Sequence, residues 1–243
     1  MCRIFLHGGG DDVASRRETF GQFVAAMMVG ETGKLALVLE EEETAVFESQ
    51  QAYSTIFTSI GFPADNIAPI YATKTNPLTY EMLVHIAPSG LFVCGGVTPS
   101  YQQALCVNPA WLAYLQETQI PYGGTSAGAA IAAQTAIVGG WQAQQRDILF
   151  VGASEGIDPL TTRQGLGLVP FAVDVHASQM GTLTRLIHAV KLGLVDEGWA
   201  IDENTLLAVS DQQMRVYGRG HCYHVWRQSE NVVQLSIHVA GAV

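Results

Sequence analysis

The stretch Ile120-Pro121-Tyr122-Gly123-Gly124-Thr125-Ser126-Ala127-Gly128 runs from a short strand-like segment through two glycines to a serine. It then enters small residues that continue to about Ala136. This is the pattern of a strand that turns sharply into a helix. Gly124 to Gly128 match G-x-S-x-G, a nucleophile turn, in which the flanking glycines leave room for neighbouring backbone. The serine oxygen then projects from the C-terminal edge of a sheet. The amide of Ala127, at the helix N-terminus, is expected to point into the same space and to donate to a developing oxyanion.

Working outward, strands alternate with helices. Arg3 to His7 reads as a buried strand closed by Gly8-Gly9-Gly10, with a helix from about Ser15 to Val29. Leu35 to Leu39 is a short apolar run of the kind covered on both faces. A helix over about Ala45 to Ile60 carries Val46, Phe47, Tyr53, Ile56, Phe57 and Ile60 mostly on one face. Next come a strand over Ile67 to Ala72, a helix over Pro77 to Ile86 and a strand over Leu91 to Cys94, closed by Gly95-Gly96. Short helices are expected over Ser100 to Leu105 and Pro109 to Glu117. After the serine turn, Phe171 to His176, Gly181 to Leu192 and Trp199 to Asp202 read as strand, helix and strand. The end changes character: Leu206–Ser210, Met214–Tyr217, Tyr223–Trp226 and Val232–Val239 are strands with only turns between them. The alternation predicts an α/β fold. Its mostly parallel sheet carries helices on both faces, with an antiparallel extension at the C-terminal end. No linker or repeat divides residues 1–243, so one domain is expected.

Composition narrows the function classes. Among 243 residues, 48% are apolar and 14% charged, which suits a packed core and not a disordered chain. The net charge of -10 opposes binding to nucleic acid or an anionic membrane surface. No stretch approaches the length of a spanning helix, and the N-terminal segment is too short for a signal peptide, so a cytoplasmic location is expected. Cys2, Cys94, Cys106 and Cys222 form no CxxC pair and read as free thiols. A homo-oligomer is compatible with the apolar composition. Gly8-Gly9-Gly10 lacks both phosphate-loop patterns and reads as a plain turn. Glu40 to Glu43 read as a solvated helix start. His221 and His224 fall on opposite faces of a strand, which argues against a shared metal, and no cofactor is expected.

A nucleophilic serine needs a base, and the base an orienting acid. His176 ends one predicted strand and Glu203 follows the end of the next. A right-handed strand–helix–strand unit brings both ends to one edge, where open α/β sheets place their ligands. His176 is thus the candidate base and Glu203 the candidate acid, with Asp202 and Asp174 close by. Asp174 is also placed to position a pocket group. An esterase reading on the α/β-hydrolase pattern, with chain order Ser, acid, His, would instead use Asp202 or Asp211 with His221 or His224.

These residues resemble the serine peptidases that include cyanophycinase and dipeptidase E. The resemblance rests on Tyr53…Phe57…Ile60-Gly61, Gly95-Gly96, Gly124 to Ala129, Gly165 to Leu168, Asp174 to Gln179, Arg185-Leu186 and Ile201 to Thr205. It implies a fold like that of class I glutamine amidotransferases, with serine in place of their cysteine. It further implies Ser126 as nucleophile, His176 as base, Glu203 as acid and the amides of Gly96 and Ala127 as oxyanion donors. Such peptidases act next to aspartyl residues, isopeptide linkages included, without metal or organic cofactor, and a small peptide or isopeptide is the substrate implied. The sequence also departs from that pattern. Thr98 stands where a glutamine follows the Gly-Gly turn, and Met180 and Thr182 stand where two arginines follow the histidine; Arg185 is kept. Methionine and threonine cannot supply a guanidinium fork to a carboxylate. An altered substrate pocket around Thr98, Asp174 and Arg185 is therefore expected. A non-catalytic binding member of the family is the alternative those departures suggest.

Overall fold

Leu35 to Leu39 are buried throughout, and in the computed structural model they lie in a strand flanked by parallel strands on both sides. The structure describes residues 3–27, 33–40, 46–210, 213–230 and 232–243. The first half comprises β1 (Ile4–His7), α1 (Phe20–Met27), β2 (Lys34–Glu40), α2 (Val46–Ser59), β3 (Ile67–Ala72), α3 (Tyr80–Ile86), β4 (Pro88–Val93), α4 (Thr98–Leu105), α5 (Leu112–Thr118), β5 (Tyr122–Thr125) and α6 (Ala127–Ala130). The second half adds β6 (Thr135–Gly139), β7 (Gln142–Ala143), β8 (Arg146–Asp147), β9 (Thr161–Gln164), β10 (Ala172–Val175), α7 (Leu183–Lys191), β11 (Glu197–Ile201), β12 (Thr205–Ser210), β13 (Gln213–Gly218), β14 (Cys222–Ser229), β15 (Val232–His238) and β16 (Gly241–Ala242). Cys2, Glu41 to Glu43 and Asp211 lie outside the described residues.

The main sheet has the order β16-β13-β12-β1-β5-β4-β2-β3. From β1 to β3 it is parallel, and β12, β13 and β16 extend it antiparallel. Period-two alternation sends side chains to two cores. Ile4, Leu6, Ala36, Val38, Leu91 and Val93 enter one, with Tyr101, Trp111 and Tyr122. Phe5, Leu35, Leu37, Leu39 and Phe92 enter the other, beside Phe20, Phe23 and Phe57. Each buried Leu, Ile, Val or Phe among them contributes about 1.5–3 kcal/mol by leaving water. Gly123 is bare because a Cβ there would sit 2.4 Å from the ring of Phe92. Among the described residues, no helix is long and apolar enough to cross a membrane.

Three expectations are corrected. First, the helix after Ser126 stops at Ala130 instead of continuing to about Ala136. The chain there turns and is tied by Leu166 N to Ile131 O and Gly165 N to Gln134 O, after which β-branched Thr135, Ile137 and Val138 enter β6. Second, β10 and β11 do not join the main sheet. They pair in parallel within a second sheet, β10-β11-β14-β15, which α7 covers through Leu186, Ala189 and Val190. The reason is topological. β12 occupies the free edge of β1, with Leu6 opposite Leu207, and only Asp202 to Asn204 separate it from β11. That turn is the joint between the two sheets, and it carries Glu203. Third, Glu40 is buried at the end of β2, not solvated in a helix start.

Candidate active site

Three successive carbonyls leave the end of β1, and each accepts a backbone N–H from a different segment. His7 O takes Ser126 N at 3.0 Å, Gly8 O takes His176 N at 2.9 Å and Gly9 O takes Asn204 N at 2.7 Å. The Gly8-Gly9-Gly10 run, read above as a plain turn, is therefore the seat on which serine, imidazole and carboxylate converge. Its composition is dictated by contact. A Cβ on Gly8 would lie 2.1 Å from Asp202 O, one on Gly9 2.1 Å from His176 Cε1, and one on Gly10 2.9 Å from Glu203 Cβ. Gly9 and Gly10 also have φ of 100° and 77°, where a side chain is strained. The signal was present in the sequence as three glycines directly after a buried strand.

Ser126 sits between β5 and α6 with φ 50° and ψ -116°, a strained conformation for a residue with a side chain. The glycines around it are again spaces. A Cβ on Gly124 would meet Gly128 O at 2.4 Å, and one on Gly128 would meet Val93 O at 2.2 Å. Ser126 Oγ lies 2.9 Å from His176 Nε2, and His176 Nδ1 lies 2.7 Å from Glu203 Oε1. In that arrangement Nδ1–H donates to the carboxylate and Nε2 accepts from the hydroxyl. Gln179 Oε1 accepts the Glu203 N–H at 2.9 Å and steadies the joint.

The competing acids and bases are engaged elsewhere. Asp202 is buried and accepts from the backbone N–H groups of Ser178 and His221, with His221 Nδ1 3.2 Å away. His224 pairs with Glu197 at 2.9 Å. The imidazole at the Ser126 hydroxyl is thus His176, not His221 or His224. Ala127 opens α6, and the first amides of a helix lack intrahelical acceptors. The neighbouring Gly95 N–H is taken by the Tyr53 hydroxyl at 2.9 Å, and Gly96 lines the same cleft walls as Ser126.

Two clefts meet at Ser126, His176 and Gly96. One, of about 480 Å³, extends past Glu155, Met180 and Arg185; the other, of about 410 Å³, past Asp11, Tyr53 and Ile56. Ser126 therefore lies where two open spaces join. Of the pocket residues expected from sequence, Arg185 lines the first cleft, while Thr98 and Asp174 stand behind it. Asp174 holds Arg185 in a bidentate pair at 2.8 and 2.7 Å, and Arg185 Nη1 donates to Ala153 O at 2.8 Å. Thr98 donates its N–H and hydroxyl to the two oxygens of Glu155, each at 3.1 Å. Thr182 gives its hydroxyl to Val175 O, and Met180 remains partly exposed in the cleft. Glu155 was not singled out from sequence, because it lies in the Thr135–Gln164 excursion, whose weak periodicity gave no role. Among the described residues, no group of three His, Cys, Asp or Glu side chains is placed to hold a metal ion.

A second imidazole lies beneath the site. His7 is buried, lies tilted against the ring of Phe20 with centroids 4.3 Å apart, and accepts the Gly9 N–H on Nδ1 at 3.2 Å. Burial, with a smaller push from His176, lowers its pKa to about 3. Between pH 6.5 and 3 the unfolded chain therefore binds a proton at this residue that the folded protein does not. Stability is expected to fall as the pH falls across that window, by about 1.6 kcal/mol from pH 6.5 to 5. Urea unfolding of wild type and His7→Gln at the two pH values measures it. The variant should lose less stability on acidification by that amount, and equal losses would refute the assignment.

No protein-family model and no curated protein matches the sequence. Solved structures do share the fold. A peptidase from an acI-B1 Actinobacterium superposes with a TM-score of 0.71 at 14% identity, over 100% of this chain and 96% of that one. A provisionally assigned peptidase E protein from Listeria monocytogenes EGD-e gives 0.55 at 16% identity, over 90% of this chain and 100% of that one. At these identities the likeness establishes an α/β fold of the kind seen in those peptidases.

Proposed function

We propose that the protein is a serine-type peptidase that cleaves a peptide or isopeptide bond through an acyl-enzyme. One observation carries the proposal: Ser126 Oγ, the His176 imidazole and the Glu203 carboxylate stand in line at 2.9 and 2.7 Å, on a strained serine at the meeting of two clefts. The peptidases that share the fold add support. Ser126 Oγ attacks the carbonyl carbon as Nε2 of His176 takes its proton. Glu203 holds the proton on Nδ1 and stabilises the imidazolium. The amides of Ala127 and Gly96 receive the oxyanion. Collapse expels the amine, which carries off the proton from Nε2, and water repeats the sequence on the acyl-serine. The aspartyl specificity implied by the resemblance finds little support in the pocket. The one arginine kept from that pattern, Arg185, already has its fork on Asp174.

The proposal is tested with a fluorophosphonate probe, which requires an activated serine. Wild type should be labelled at Ser126, as located by peptide mass mapping, and His176→Ala should label about 100-fold more slowly, within the range attributed to general base catalysis. Folded wild-type protein that stays unlabelled would favour a non-catalytic binding role instead.

A further inference from the structure

We propose that Glu155 selects substrates carrying a positive charge, ammonium or guanidinium, beside the scissile bond; this rests on the hydrolase reading above. Glu155 lines the same cleft as Ser126 and His176. Its backbone is held at φ 58°, a conformation that costs energy for a side chain of this kind. The carboxylate is held firmly. One oxygen accepts the Thr98 N–H and the other the Thr98 hydroxyl, each at 3.1 Å, at the first turn of α4. Each carboxylate oxygen can accept about two hydrogen bonds, so both retain capacity for a further donor.

The charge of the cleft follows from the pairs around it. Arg185 is the cationic side chain in its wall, but Asp174 takes its fork and Ala153 O a further N–H. Arg185 and Asp174 cancel, and Glu155 leaves the group with one negative charge. A substrate carboxylate would meet that charge, and would find the start of α4 already filled by the protein's own carboxylate. An ammonium or guanidinium would instead form a charge-assisted hydrogen bond. Burial pushes the Glu155 carboxyl up, against the Thr98 bonds and the charge of Arg185, which pull it down. A cation seated beside it opposes the upward push.

The cation could be a basic side chain or the free α-amine of a terminal residue. Lysyl and norleucyl amides of 7-amino-4-methylcoumarin, each with free and with acetylated α-amine, separate the two. An aspartyl amide is the like-charge control. In wild type, kcat/KM for the cationic member of the deciding pair should exceed that of its uncharged counterpart at least tenfold. Glu155→Gln should collapse that ratio about tenfold, mainly through KM. A lysyl-to-norleucyl preference that survives acetylation assigns the side chain; a preference for the free over the acetylated amine in both residues, with lysyl and norleucyl alike, assigns the terminus. Equal ratios in wild type and Glu155→Gln, or preference for the aspartyl amide, overturns the proposal. If wild type cleaves none of these and resists the fluorophosphonate, the hydrolase reading has failed. Whenever wild type cleaves none of these amides, labelled or not, the proposal about Glu155 is decided by calorimetry, with lysinamide and norleucinamide in free and acetylated forms: tighter binding of the cation, lost in Glu155→Gln, sustains it, and equal binding overturns it.

Discussion

Ser126→Ala is expected to lower turnover by about 10⁴- to 10⁶-fold, the range seen when a triad nucleophile is removed from a serine peptidase. KM should change far less, because the clefts on either side of residue 126 are built by other residues. Stability should stay within about 0.5 kcal/mol of wild type, since alanine keeps the Cβ and differs only by the hydroxyl. The Ser126 N–H to His7 O bond is also unaffected by the substitution. His176→Ala should cost a similar factor, and the double variant scarcely more than either single. The two groups act as a unit: an imidazole without its hydroxyl activates nothing, and a hydroxyl without its base is an ordinary alcohol. Steady-state kinetics on any substrate cleaved by wild type, with circular dichroism to check folding, measures this. A Ser126→Ala protein with activity within tenfold of wild type would eliminate the acyl-enzyme route. Additive losses in the double variant would show that the two residues do not form one relay.

The parallel half of the main sheet was legible because its strands are short, mostly apolar and bounded by glycine or by a helix pattern. Leu35 to Leu39 and Leu91 to Val93 are runs too short for a helix of ordinary length and fit strands covered on both faces. The serine turn was legible for a different reason: its glycines mark places where backbone must approach, and Gly128 does pack on Val93 O. The placement of His176 and Glu203 was legible only as a strand–helix–strand return. That unit is real, but it lies in the second sheet, because pairing of β12 with β1 is a long-range choice that no local pattern announces. Small residues misled after Ser126. Alanine favours helix, yet contacts of residues 131–134 with the 165–169 segment cut α6 short. Glu155 was invisible because a lone glutamate in an excursion of short strands has no period, and its role comes from what Thr98 and Arg185 do around it.

Arg185→Met is expected to destabilise the protein by about 3–5 kcal/mol, a large share of the roughly 5–15 kcal/mol typical of a folded domain. The cause is the partner left behind. Asp174 and Arg185 have side-chain exposures of only 2% and 5%. Without the guanidinium, the Asp174 carboxylate keeps, among the described residues, only the N–H of Val175 at 2.9 Å. A buried charge with one hydrogen bond is costly, and water cannot reach it readily. The pair need not be strongly stabilising for this to hold, since its attraction offsets a comparable desolvation cost. Asp174→Leu should therefore be damaging by itself, by stranding the cation. Combined with Arg185→Met it should recover much of the loss, because two apolar side chains then fill a site with no charge left unpaired. Urea unfolding of wild type, both single variants and the double variant forms the cycle that reads this coupling. A double variant at least about 2 kcal/mol more stable than either single fits a buried, mutually compensating pair. Single losses below about 1 kcal/mol would mean that solvent reaches these groups after all. The loop anchored at Ala153 O would then owe little to Arg185, and the charge balance that isolates Glu155 in the cleft would have to be redrawn.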